Sequence, residues 1–223
     1  VGHGYSGRTE PDIHLPFPDA ALVFPCFRGL GLTRHSTISS DSQWHVLHDI
    51  QDPVRYVLGG CVEDLWAGVS ALLRICPEVE HHVGYLGTSF GGGIGAMALP
   101  WDERIRRAHF NVPTFGHQPL RLELPSTGSA ASVQQFAKKH PRVLETLRYY
   151  DAAVAARFVR QPVHCACAKF DPSVAPAGQF AVYNALGGEK RLFTLTAGHH
   201  AHPGQVEEER KLLQEIDNFF RDL

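Results

Sequence analysis

The sequence predicts an α/β fold, a mostly parallel sheet with helices on both faces. Apolar runs of strand length alternate along the chain with longer segments of helical periodicity. Runs such as Ala21-Leu22-Val23-Phe24 are apolar at every position, as strands covered on both sides are. The length of 223 residues suits one domain of this kind with a sizeable core.

Strands are predicted over 20–26, 82–86, 105–112, 162–168 and 192–196. After the first, 30–48 is polar and irregular and reads as an insertion near a site. Val62, Leu65, Trp66, Val69, Leu72 and Leu73 recur at helical spacing and predict a helix over 61–75, closed by Pro77. A short helix of small residues, 92–99, stops at Pro100. The stretch 113–160 carries a Pro/Gly/Ser-rich loop at 124–129 and then helical material, which we expect to be a cap-like helical insertion. In 207–223, Leu212, Leu213, Ile216, Phe219 and Phe220 line one stripe with charges opposite. No internal repeat divides the chain, so 1–223 is expected to be a single domain.

Apolar and charged fractions of 43% and 20% exclude disordered and fibrous classes. A formal net charge of −2 gives no electrostatic case for nucleic acid or an anionic membrane. No run approaches the roughly 18 apolar residues that span a bilayer. Five cysteines, an odd number, argue against a disulfide framework and for a reducing compartment.

Chemistry first shows in Gly87-Thr88-Ser89-Phe90-Gly91, where a predicted strand runs into G-x-S-x-G and then into a helix of small residues. The turn at such a serine is sharp, so side chains at Gly87 and Gly91 are expected to clash with neighbouring backbone. The helix that follows aims its N-terminal amides at an oxyanion. A serine hydroxyl needs a base, and the base an orienting acid. On the α/β-hydrolase fold these follow in the order Ser, Asp or Glu, His, each after a strand. Asp171 follows the strand 162–168, and His199 follows the strand 192–196. Asp171 also reads as a turn or cap residue before Pro172. His200 and His202 compete with His199, which Gly198 favours by supplying a turn back over the site. The remaining histidines are expected at the surface or in loops. His164-Cys165-Ala166-Cys167 reads as small core residues of a buried strand rather than a zinc site, since nothing near supplies further ligands at zinc spacing. We assign no cofactor and no metal.

These residues and their order resemble the acetyl xylan esterase / cephalosporin C deacetylase family over nearly the whole chain. The resemblance is carried by His3-Gly4-Tyr5-Ser6-Gly7-Arg8, Arg28-Gly29-Leu30-Gly31 and Gly87-Thr88-Ser89-Phe90-Gly91-Gly92-Gly93. It continues in Tyr150-Asp151, Phe170-Asp171-Pro172, Phe180-Ala181-Val182-Tyr183-Asn184-Ala185-Leu186 and Gly198-His199. It implies an α/β-hydrolase fold and deacetylation of small acetylated sugars and cephalosporin-like esters by cytoplasmic enzymes that are often hexameric rings. It also implies Ser89 as nucleophile, Asp171 and His199 as its partners, and Tyr5 and Phe90 as amide donors of an oxyanion hole. The chain departs from the family in Phe90, where Gln is usual, in His200, where Glu is usual, and in Val174-Ala175-Pro176, which replaces a Cys-Pro-Pro run. Phe90 leaves a backbone donor intact and makes the wall of the site more apolar. A longer-chain esterase, a peptidase or an acyltransferase on the same fold, and a binding module without catalysis, are the competing functions.

With the oxyanion loop at His3, only Val1-Gly2 remains of the central strand that precedes it in this fold. The chain is therefore expected to lack its N-terminal part, with a gap about one strand wide between 20–26 and 82–86.

Overall fold

The computed structural model describes Leu15, residues 17–221 and Leu223. Its helices and strands alternate as α1 (Ser42–His45), α2 (Val57–Ile75), β1 (Val83–Thr88), α3 (Phe90–Ala98), β2 (Ile105–Asn111), α4 (Gln118–Glu123), α5 (Gly128–Lys139), α6 (Val143–Leu147), α7 (Ala152–Ala156), β3 (Val163–Phe170), α8 (Pro176–Ala185), β4 (Lys190–Ala197) and α9 (Gln205–Phe220). The four strands are parallel and lie in the order β1-β2-β3-β4, with Thr88 beside Asn111, His109 beside His164 and Cys165 beside Leu192.

Strands laid down in sequence order make every crossover step the same way. Right-handed crossovers then place the connecting helices on one face. The larger core lies there, with Val83, Tyr85, Ala108, Phe110, Cys165 and Cys167 of the strands meeting residues of α2, α3, α7 and α8. The opposite face is left to α9. Leu212 and Ile216 of α9 close a smaller core on Leu86, Ala166, Ala168 and Leu195. The alternation along β3, Cys165 and Cys167 to one side and Ala166 and Ala168 to the other, is the period of two that a strand imposes. Between β2 and β3, α7 gives Ala152 and Ala156 to the larger core.

The predicted strand 20–26 is the exception. Residues 21–25 belong to no strand, and Cys26 makes a single bridge. An apolar run becomes a strand only when a neighbour takes its backbone hydrogen bonds, and β1 pairs only with β2 among the described residues. Where the one-strand gap is expected, a cavity of about 520 Å³ separates Phe17–Pro25 from β1, walled also by Val69, Leu72 and Phe220. Among the described residues no helix is long and apolar enough to cross a membrane.

Candidate active site

Ser89 stands between β1 and α3 with φ 53° and ψ −110°, a conformation few non-glycine residues hold. Strain of this kind is of the order of 1–3 kcal/mol and needs surroundings that over-determine it. Three hydrogen bonds do so. The Ser89 N–H donates to Asn111 O (2.7 Å), and Ser89 O accepts from the N–H groups of Gly93 (3.1 Å) and Thr114 (3.2 Å). The loop after β2 is itself bent around the turn, with positive φ at Val112, Phe115 and His117. A Cβ at Gly87 would stand 2.6 Å from the Gly91 backbone, and one at Gly93 2.5 Å from Thr114 O, so both must be bare. At Gly91 the expectation fails: a Cβ there would meet only the Tyr85 hydroxyl, at an ordinary 3.5 Å. Gly91 is held through its carbonyl instead, which accepts from Tyr85 Oη at 2.6 Å. Complete burial pushes the Tyr85 pKa up, so the hydroxyl keeps the proton it donates.

Phe90 opens α3, and the helical ladder takes its first N–H at Gly93, so the Phe90 amide lies at the positive end of the helix dipole. Its ring is buried, edge-on to Phe27 (5.7 Å), His45 (5.8 Å) and Phe115 (5.5 Å). The segment that holds Phe27 and His45 backs the turn. It is tied to α2 by the Arg28 guanidinium, which grips both oxygens of Asp64 (2.9 and 3.1 Å), and His45 Nε2 donates to Arg28 O (3.0 Å).

Asp171 follows β3 with its side chain wholly buried. One carboxylate makes the contacts of both readings the sequence allows. Oδ1 accepts from the N–H groups of Ser173 (2.8 Å) and Val174 (2.9 Å), closing the turn, while Oδ2 faces His199 Nδ1 at 2.8 Å. His199 follows β4, and its Nε2 stands 3.0 Å from Ser89 Oγ. With Nδ1–H donating to Asp171, Nε2 is the acceptor for the serine hydroxyl. The turn is made by His199 itself, at φ 48°, and not by Gly198 as the sequence suggests. Gly198 serves by lacking a Cβ, which would stand 2.5 Å from Asp171 Oδ2.

Ser89, Asp171 and His199 thus meet at the carboxyl end of the sheet, each from a different strand. Tyr5, with the rest of His3-Gly4-Tyr5, lies outside the described residues. His200 instead stacks edge-on to Phe170 (5.3 Å), and His202 turns to Pro203 O and Glu208. Cys165 and Cys167 are buried in β3 with their sulfurs 3.5 Å apart. The expectation that the remaining histidines are superficial is wrong for His45 and His109, both fully buried. Each has polar company inside, Arg28 O for His45 and the His164 ring for His109. The sequence reading passed over Gln179, buried beside Asp171; its signal was a polar residue three positions before the buried Val182 of α8.

A parallel sheet flanked by helices, a strained serine between strand and helix, and an acid and a histidine after later strands define an α/β hydrolase. The acetyl xylan esterase (AXE1) family model matches residues 28–216, and the chain belongs to that family. Among solved structures it is similar to an acetyl xylan esterase from Paenibacillus sp. R4, with 23% identity, a TM-score of 0.68, and 85% of this chain and 63% of that one covered. It is similar also to acetyl xylan esterase 1 from Thermoanaerobacterium sp. JW/SL YS485, with 18% identity, a TM-score of 0.64 and coverages of 85% and 64%. Acylaminoacyl peptidase of Pyrococcus horikoshii shares the fold at 17% identity and a TM-score of 0.66, covering 89% of this chain and 31% of that one. The chain spans less than two thirds of the length of either esterase.

Proposed function

We propose that this chain is a serine esterase that removes acetyl groups from small acetylated sugars or related esters. The observation that carries the reading is the hydrogen-bonded line from Ser89 Oγ to His199 (3.0 Å) and on to Asp171 (2.8 Å) in a member of the acetyl xylan esterase family. Ser89 Oγ attacks the acetyl carbonyl as its proton passes to His199 Nε2, and Asp171 stabilises the imidazolium. The Phe90 amide supports the oxyanion, with Tyr5 as the second donor that the family pattern assigns; one such donor contributes roughly 10²–10³ in turnover. His199 then returns its proton to the departing sugar oxygen. Water, activated by the same imidazole, releases acetate from Ser89.

A rate series over 4-nitrophenyl esters of increasing acyl length, run beside acetylated xylo-oligosaccharides, tests the reading. Acetyl should be the fastest acyl group, and an organophosphonate should label Ser89 stoichiometrically. A maximum at six or more carbons would replace the acetyl assignment with a longer-chain esterase. Absence of labelling would leave a binding module.

A further inference from the structure

Gln179 is fully buried on α8, and every polar atom of its amide is engaged. Oε1 accepts from the Ala168 N–H at 2.8 Å. Nε2 donates to Val174 O at 2.7 Å and to Asp171 Oδ2 at 3.0 Å. The orientation of the amide is fixed by its partners, since a flip would set an oxygen against two acceptors and an NH₂ against a donor. One side chain therefore spans the end of β3, the loop that follows, and the acid within that loop.

Among the described residues Asp171 carries four donors, two backbone N–H groups on Oδ1, with His199 and Gln179 on Oδ2. That is about the full acceptor capacity of a carboxylate. The two backbone bonds hold Oδ1, and turning about Cβ–Cγ moves both oxygens together. Among the described residues, Gln179 is the one donor on Oδ2 besides His199 itself. We propose that Gln179 is a positioning residue for the acid, holding the Asp171 carboxylate in the plane that directs Oδ2 at His199. The proposal rests on the esterase reading of Ser89, His199 and Asp171.

Two variants test it, assayed on 4-nitrophenyl acetate from pH 5 to 9 with organophosphonate labelling alongside. Gln179→Met removes all three bonds; kcat should fall about tenfold or more at every pH, within the roughly 10⁴-fold that loss of the acid itself produces, while KM stays within about twofold. Gln179→Glu keeps the acceptor for Ala168. While the introduced carboxyl holds its proton it also donates to Asp171, so activity near the parent's is expected at the acid end. Two carboxyls in contact hold a proton to higher pH than one alone. Once that proton leaves they repel, and kcat should acquire a descending limb that the parent's profile lacks. Near-ultraviolet circular dichroism should not change across that limb.

A Gln179→Glu profile parallel to the parent's would overturn the proposal. So would a limb that tracks a change in the dichroism, a Gln179→Met kcat within twofold of the parent, or a Gln179→Glu chain that fails to fold at pH 5–6. If Gln179→Met does not fold, the Gln179→Glu profile decides. A parent that takes no label at Ser89 fails the esterase reading and this proposal together, whereas a labelled parent indifferent to Gln179→Glu fails this proposal alone.

Discussion

At Gly198 the missing side chain matters as much as any present one. A Cβ there would press on Asp171 Oδ2 at 2.5 Å and on Val112 Cγ1 at 2.9 Å, and both neighbours are held, the first by His199 and Gln179 and the second inside the smaller core. Gly198→Ala should therefore displace acid from base and lower kcat by roughly 10²-fold, the scale of a misplacement near 1 Å; steady-state kinetics on an acetyl ester would show it, and an unchanged kcat would mean that the loop yields. Ser89→Ala should abolish hydrolysis with the fold intact, because the turn accepts a smaller side chain. His199→Ala should do the same, while His200→Ala and His202→Ala keep most activity. A dead His200→Ala would move the base by one residue. Ser89, Asp171 and His199 were legible because each stands next to a local marker, a glycine-flanked turn or a strand's end. Gln179 was not, because its three partners lie 5, 8 and 11 positions away and meet only in the fold. Nor could a β-branched Val112 at φ 44° be read from propensities that disfavour it.

Among the elements, β2 and β3 set two imidazoles against each other under α9. His109 Nδ1 and His164 Nδ1 are 2.8 Å apart, the rings stack at 4.9 Å, and His164 Nε2 faces Glu215 at 3.4 Å. With its Nε2–H turned to Glu215, His164 accepts at Nδ1 from the Nδ1–H of His109, and one proton fills the space between the rings. Burial lowers the pKa of both, joined by the neighbouring ring for His109 and by Arg191 for His164, with Glu215 opposing. The fully buried His45 is lowered too, by burial. The folded chain thus favours neutral rings, whereas the unfolded chain takes up protons as pH falls below 6.5. This stability is whole above 6.5 and is lost as pH drops below it toward the folded-state values. The Tm should therefore fall between pH 7.5 and 5, and fall less steeply in a His109→Leu/His164→Leu double variant. Equal slopes for the two chains would remove the pair from the acid response. The period of two placed His164 in a buried strand, but it does not say whether a histidine's inward neighbour is a solvent gap or another ring.

For the molecule as a whole, apolar periodicity locates four strands and the helices α2, α3 and α9 to within a few residues, since burial on both faces of a sheet leaves a plain mark. It mistook 20–26 because strand identity is a matter of pairing, and pairing is settled by what lies alongside. The same run that reads as a buried strand serves here as a wall of the cavity beside β1, with Leu22 and Val23 half-exposed.

Ser89 and His199 are 110 positions apart, and Asp171 stands 28 before His199. The three groups meet only when β1, β3 and β4 are all in register through β2, so the Ser89–His199 contact depends on long loop closures. Contacts of that span form late, after the local helices have gained their hydrogen bonds. On dilution from denaturant, far-ultraviolet ellipticity should therefore return ahead of phosphonate reactivity, which should recover in step with the slowest refolding phase. Reactivity that returned with the first helical signal would mean that a partial sheet already holds the serine and histidine together. Reactivity that recovers in step with the slowest phase would instead make Ser89 a chemical clock for completion of the sheet, reporting in a single labelling reaction when the last strand docks.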